Sequence, residues 1–178
     1  IPCSLPTGHR VEVPIDAVRW VREKALRMKE GLWLVIDYGY RWEDLCAGDY
    51  RRGTVRSFFN HQVDGDVYDR PGLKDITAHV CFDALSQAAQ NGGFEEVGLI
   101  PQDKFLLMAG LLDLLENHNE RDPFHPKAKK NRAIAHLLSP AGISASFSVL
   151  VLAKGVPEKV QDLFRTPLDK IFNYGRRM

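Results

Sequence analysis

Residues 32–36 form an unbroken apolar run, Leu-Trp-Leu-Val-Ile, that ends abruptly in Asp37, Tyr38, Gly39 and Tyr40. On a strand, Trp33 and Val35 face opposite to Leu34, so both sides of the element are apolar. A strand apolar on both faces is one covered on both faces, the habit of parallel sheets packed between helices. The run therefore predicts an α/β fold, in which ligands sit just beyond the carboxyl ends of the strands. An acid, two phenols and a flexible glycine at such an end are placed for chemistry. The bland alternative is a strand that simply ends in a turn.

The flanking chain fits this class. Pro14 suits a helix start, with Asp16 near the positive helix end. Ile15, Val18, Val21, Ala25 and Met28 keep helical spacing, and Gly31 is a natural stop. A helix followed by the strand at Leu32 is the second half of an α/β unit. Before it, residues 1–8 read as an irregular approach, and residues 10–13 as a short strand or extended lead-in. Beyond Tyr40 lies a polar, glycine-containing stretch to Arg52. Residues 53–62 suit an extended arm or a hairpin strand of mixed period. Turn signals follow in Asp-Gly-Asp and Arg-Pro-Gly, and residues 77–81 are short and ambiguous. Residues 82–91 predict a helix, with Phe82, Leu85 and Ala89 along one side and Gly92-Gly93 ending it. A second strand is expected at 94–100. Residues 104–115 (Phe105, Leu106, Leu107, Leu111, Leu112, Leu115) read as a buried helix. A charged loop at 118–132 leads into a helix through Leu138, broken by Ser139-Pro140-Ala141-Gly142. A third strand is expected at 146–153, with Phe147, Val149 and Val151 on one face and Leu150 and Leu152 on the other. Short amphipathic helices around 160–164 and 168–174 finish the chain.

At 178 residues, 44% hydrophobic and 26% charged, the chain has the length and composition of one globular domain with a sizeable core. A net charge of +1 gives no reason to expect nucleic acid or an acidic membrane surface as the main partner. No apolar stretch approaches the ~20 residues needed to cross a bilayer. No basic-then-apolar leader stands at the start. Cys3, Cys46 and Cys81 are scattered without a Cys-x-x-Cys pair, so neither a disulfide framework nor a zinc site is expected, and a reducing cytoplasm fits best. The chain begins with Ile1, which reads as a piece of something longer.

Two polar sets stand out. Asp37, Tyr38 and Tyr40 are the first. Asp75, Thr77 and His79 are the second: if Lys-Asp-Ile-Thr-Ala-His-Val is extended, these three share one side. An acid, a hydroxyl and an imidazole together suit substrate binding or proton transfer, and a solvated strand edge is the plain alternative. His118 and His125, with Glu120 and Asp122 nearby, are better explained as a hydrophilic loop than as metal ligands, so no metal is expected. Lys127, Lys129, Lys130 and Arg132 read as a solvated helix face, and Arg176 and Arg177 as a basic tail. There is no Gly-x-Ser-x-Gly elbow, no Walker loop and no Gly-x-Gly-x-x-Gly in the chain.

Four motifs occur in one order: Leu-Val-Ile-Asp-Tyr-Gly-Tyr, Gly-Thr-Val-Arg-x-Phe-x-x-His, Pro-Gly-x-x-Asp-Ile-Thr-Ala-His-Val-x-Phe and Gln-x-x-Phe-Leu. Together they resemble the carboxy-terminal half of the MidA-like S-adenosylmethionine-dependent methyltransferases, over nearly all of residues 11–155. Mitochondrial members of that family assist assembly of respiratory complex I by methylating an arginine of one subunit. This chain departs from the family pattern at Leu73, where Glu is usual, and at Cys81, where Asp is usual. It departs again at residues 101–106, which replace Thr-Gln-Gly-x-Phe-Leu, and at Ile143-Ser144, which replaces Met-Gly. These changes mark a divergent branch.

The resemblance implies the C-terminal part of a class I methyltransferase sheet, Rossmann-like, with helical additions. Residues 1–155 would be the substrate-side half of the domain and 156–178 a helical tail. The strand at 32–36 would be the fifth of the sheet, and those at 94–100 and 146–153 the last two, an antiparallel pair at one edge. The family's glycine-rich cofactor loop and ribose-holding acid lie upstream of the matched region. S-adenosyl-L-methionine is therefore the implied cofactor, with its main binding loop expected before this chain, and weak binding of it or none is expected here.

The implied reaction is methylation of a protein side chain, arginine. Asp37 and Asp75 suit it because carboxylates grip guanidinium bidentately and accept a proton, and His79 is the further candidate base. Tyr38 and Tyr40 suit a cation at ~0.5–2 kcal/mol. Arg56, His61, Thr77 and Gln102 complete the expected substrate-binding set. The rival is a non-catalytic assembly or interaction module that keeps the fold. A hydrolase lacks any nucleophile motif and ranks last. The expected partners are a protein substrate, with neither nucleic acid nor membrane, and a second copy paired along the edge of the strand at 32–40. The expected compartment is the cytoplasm, or the mitochondrial matrix in a eukaryote.

Overall fold

The computed structural model describes residues 3–60, 62–64, 66–139 and 142–165. Its centre is the strand β8 (Ser148–Lys154), as numbered in chain order among the elements α1 (Ile15–Arg27), β1 (Gly31–Asp37), β2 (Gly39–Tyr40), α2 (Trp42–Cys46), β3 (Arg56–Phe59), β4 (Gln62–Asp64), β5 (Asp75–Thr77), β6 (Val80–Cys81), α3 (Phe82–Gln90), β7 (Glu95–Pro101), α4 (Gln102–Met108), α5 (Pro126–Leu137) and α6 (Glu158–Arg165). β8 lies between β1 and β7 and is antiparallel to both. Its run Val149, Leu150, Val151 and Leu152 is 0% exposed. Full burial of each such side chain is worth ~1.5–3 kcal/mol, so β8 anchors the body.

Alternation along the strands splits the core into two layers. On one face Trp33, Val35, Leu150 and Leu152 meet Val21 and Ala25 of α1 and Phe82, Leu85 and Ala89 of α3. Trp33 is wedged edge-on between Trp20 and Phe94, with ring centroids 5.8 and 5.6 Å away. On the other face Val149, Val151, Val97 and Ile100 meet Phe105 and Met108 of α4 and Phe164 of α6. Lys154 Nζ donates to the carbonyls of Ala25 (3.2 Å) and Met28 (2.6 Å), a cation on the negative end of α1.

Several expectations need correction. β1 is not a strand buried on both faces in a parallel sheet: its described neighbour is antiparallel β8, and Leu34 and Ile36 are 41% and 51% exposed. The helix at 104–115 is neither continuous nor buried. α4 ends at Met108, Gly110 adopts a left-handed φ of 82°, and a 3₁₀ turn at Leu111–Leu114 leaves Leu112 and Leu114 exposed. The polar stretch after Tyr40 contains α2, whose start is fixed by the Arg41 amide donating to Asp44 Oδ2 (2.8 Å). The third strand starts at Ser148, two residues later than expected.

The cysteines also differ from expectation. Cys3 and Cys46, 43 residues apart, form a disulfide with a Cα–Cα distance of 6.0 Å. The leading segment doubles back beside the loop after α2, with the Arg10 amide donating to Arg51 O (3.1 Å). That return path is tertiary and leaves no spacing motif, and it removes the cysteine argument for a reducing compartment. The helix expected at 168–174 lies outside the described residues, as do Arg176 and Arg177. Among the described residues, no helix is long and apolar enough to cross a membrane.

Candidate functional site

The carboxyl end of β1 is built by two backbone devices. Asp37 Oδ1 accepts the amide of Tyr38 at 2.8 Å, which turns the chain out of the sheet. The next residues then pair in parallel with β6, Gly39 opposite Val80 and Tyr40 opposite Cys81, while the Val80 amide donates to Tyr38 O at 3.0 Å. Only glycine permits this approach, because a Cβ on residue 39 would stand 2.1 Å from Val80 O. The Gly39 of the motif thus brings His79 beside Tyr38.

His79 is held between aromatic edges. Its ring centroid lies 5.2 Å from that of Tyr38 and 5.3 Å from that of Tyr50, both edge-on, and Tyr38 in turn meets Phe147 at 5.4 Å. Together with Phe58 and Ser146 these rings line a hollow of about 600 Å³. His79 Nδ1 is enclosed and has no hydrogen-bond partner among the described residues. Burial pushes the imidazole pKa below its ordinary value, and the Arg56 guanidinium pushes it the same way. Glu12 and Asp37 pull back without reversing the direction. The imidazole is therefore a neutral acceptor near pH 7, the form a base needs.

The other expected residues fall around this ring cluster. Asp75 and Thr77 share one side of β5, as alternation requires, and line a neighbouring hollow of about 530 Å³ with Asn60 and Leu73. Phe58 borders both hollows. His79 lies beyond the end of β5, so the three residues span two adjoining spaces. Asp75 is exposed, and Asp37 is half-buried at the end of β1. Tyr40 is 3% exposed and packs with Leu45 and Cys81 away from the larger hollow, where burial, with Cys81, Glu12 and Tyr50 nearby, raises its hydroxyl to about 12. It reaches the cluster through the Tyr50 ring, 5.2 Å away. Arg56 is exposed and donates to Val55 O at 2.8 Å. The Gln102 amide donates to Phe147 O at 3.0 Å, tying the start of α4 to the site. His61 lies outside the described residues.

The sequence reading missed Tyr50, Phe147, Glu12 and Thr54. Tyr50 belongs to a polar stretch, and Phe147 fits the alternation of the strand expected at 146–153. Glu12 Oε1 accepts the amides of Thr54 (2.8 Å) and Val55 (3.2 Å), and Oε2 accepts the Thr54 hydroxyl (3.0 Å). A third cavity, of about 330 Å³ and behind Tyr40 and Trp42, is lined mainly by apolar side chains such as Val11, Val18 and Leu45. The carboxylate at its edge, Glu12, is already engaged by Thr54, so it offers little for chemistry. His118, Glu120 and Asp122 line a surface hollow. No group of three or more His, Cys, Asp or Glu among the described residues is placed to hold a metal ion.

Residues 1–100 match the family model described as "Putative S-adenosyl-L-methionine-dependent methyltransferase". Over 121 residues the chain is 31% identical to protein arginine methyltransferase NDUFAF7, mitochondrial, of Rattus norvegicus, and equally to that of Mus musculus. These alignments cover 62% of this chain and 26% of each relative, so the chain spans about a quarter of their length. A crystal structure of a COG1565 superfamily member from Burkholderia thailandensis bound to S-adenosyl-homocysteine superposes with a TM-score of 0.77 at 30% identity. It covers 88% of this chain and 40% of that one. β7 and β8 form the antiparallel pair at one edge that the resemblance implies for the last two strands of the sheet. With the family model matching more than half of its residues, this chain belongs to the S-adenosyl-L-methionine-dependent methyltransferase family.

Proposed function

We propose that this chain forms the acceptor side of a methyltransferase that transfers a methyl group from S-adenosylmethionine to an arginine of a protein. The observation that carries the reading is the neutral His79 imidazole, fixed edge-on between Tyr38 and Tyr50 with Nδ1 unpartnered. The residues present suit the sulfonium end of the cofactor: the rings of Tyr38, Tyr50 and Phe147 line the hollow, and its lining carries no fixed charge. When bound, the cofactor supplies an electrophilic methyl group on a positively charged sulfur.

The acceptor arrives as a guanidinium. Exposed Asp75, in the adjoining space, suits a bidentate grip on it. Asp37 spends Oδ1 on the Tyr38 amide, which leaves Oδ2 to orient the acceptor from the strand end. His79, whose ring lines the hollow, takes a guanidinium proton as the nitrogen lone pair attacks the methyl group, and the imidazolium returns that proton to solvent. Arg56 disfavours the imidazolium and so keeps the base poised between turnovers. The NDUFAF7 relatives are named protein arginine methyltransferases, which supports arginine over other acceptors.

Incubating the longer protein that carries this chain with isotopically labelled S-adenosylmethionine and arginine-containing protein tests the reading. Label recovered as methylarginine is the expected result. Label recovered only on another residue type, or none with a cofactor-bound enzyme, overturns it.

A further inference from the structure

We propose that Glu12 and Thr54 are positioning residues that set the His79 backbone and the Tyr50 wall for proton transfer. The inference rests on the role given to His79 above. Thr54 is 1% exposed, and its hydroxyl does two things at once: it donates to Glu12 Oε2 at 3.0 Å and accepts the His79 amide at 3.0 Å. A carboxylate that precedes α1 is thereby connected, through one hydroxyl, to the backbone of the candidate base 67 residues later in the chain.

The same carboxylate fixes the loop carrying Tyr50. Its Oε1 holds the amides of Thr54 and Val55. The preceding residue, Gly53, has φ 75°, and a Cβ there would stand 2.3 Å from Glu12 Oε1. The Gly53 amide closes the turn onto Tyr50 O at 2.7 Å, and Tyr50 itself holds a left-handed φ of 59°. Thus Glu12 sets both the base and one of the two rings that flank it. This matters because no described hydrogen bond holds His79 Nδ1: its direction depends on the backbone and on the rings. The Glu12 network is built to stay ionised. Burial raises its carboxyl, but the bonds from Thr54 and Val55 outweigh burial and hold it below the ordinary carboxylate range. The charges facing the imidazole are Arg56, Glu12 and Asp37, with the phenols of Tyr38 and Tyr50 on either side.

The experiment compares Thr54→Val with Thr54→Ser in the longer protein that carries this chain. Valine keeps the shape and removes the hydroxyl, while serine keeps the hydroxyl. Thr54→Val is expected to lower kcat by ~10–100-fold with the acceptor KM changed little, as a slightly misplaced base would. Thr54→Ser should restore turnover to within about threefold. Glu12→Gln removes a charge that favours the imidazolium, so the rise of rate with pH should move to lower pH. Thr54→Val turning over normally per folded molecule, or Thr54→Ser failing as Thr54→Val does, overturns the proposal. His79→Gln, run alongside, separates the two levels. If it turns over normally the parent reading fails as well; if it is slow while Thr54→Val is normal, only the positioning claim fails.

Discussion

Two apolar runs, residues 32–36 and 149–153, look interchangeable in sequence and have opposite fates in the structure. β8 has a partner on each side and helices on both faces, and its central side chains are fully buried. β1 has one described partner, and Leu34 and Ile36 remain open on the face where Val149 and Val151 are covered. An apolar run therefore shows that a strand is suited to burial, without showing which residues bury it. The strand with the exposed face is also the one whose end carries the site. The antiparallel register, Asp37 opposite Ser148, brings the beginning of β8 beside the end of β1 and so delivers Phe147 to Tyr38. β8 supplies the frame, and the end of β1 supplies one wall of the candidate site.

The comparison breaks most visibly through the core. Leu150→Ala should destabilise the chain by ~2–5 kcal/mol, the cost of a cavity in a packed layer, whereas Leu34→Ala should cost within about 0.5 kcal/mol. Chemical denaturation of both variants measures this, and equal losses would show that the two strands are not distinguished by burial. Next in size is a catalytic effect at the site. Asp75→Asn should leave the melting temperature unchanged while slowing methyl transfer by roughly thirtyfold to a thousandfold, ~2–4 kcal/mol, through loss of one charge-assisted contact in the transition state. A variant that melts several degrees lower yet methylates normally would move Asp75 into the scaffold and shift the carboxylate role to Asp37.

Legibility from sequence follows the same division. α1, α3, β7 and β8 lie within a few residues of their expected ranges because each pairs a clear period with a proline or glycine boundary. Tyr38 and His79 stand in two separate motifs, and only the parallel pairing of Gly39 with Val80 brings their rings together. Tyr50, Phe147 and Glu12 were not legible as site residues, because each arrives by a tertiary path: a left-handed turn, an antiparallel register and a returning leader segment. The Cys3–Cys46 disulfide depends on that same returning leader. The helix expected at 104–115 failed because leucine content alone concealed the break at Gly110.

A smaller effect tests how the site is fastened to the body. Arg41 donates to Asp83 Oδ1 at 2.6 Å and also pairs with Glu96, while the Trp42 amide donates to Asp83 Oδ2, so the start of α2 is pinned to α3 and β7. Arg41→Met should cost ~1–3 kcal/mol, less than the core cavity. A loss equal to that of Leu150→Ala would make the clamp, and not β8, the main anchor. Smallest in stability is the open face of β1. Sedimentation of this chain is expected to show concentration-dependent association, removed by Ile36→Lys with little change in unfolding free energy. A compact monomer at all concentrations would show that the exposed edge is harmless.

The most direct test of the central claim is the pH dependence of arginine methylation by the longer protein, measured with and without His79→Gln. If His79 is the proposed base, it accepts a proton only when neutral, so the rate should climb as pH rises through a pKa below the ordinary histidine value of 6.5 and level off above it. His79→Gln should be slow and should lose that step. The same step persisting in His79→Gln, at a comparable rate, would contradict the assignment of His79 as the base.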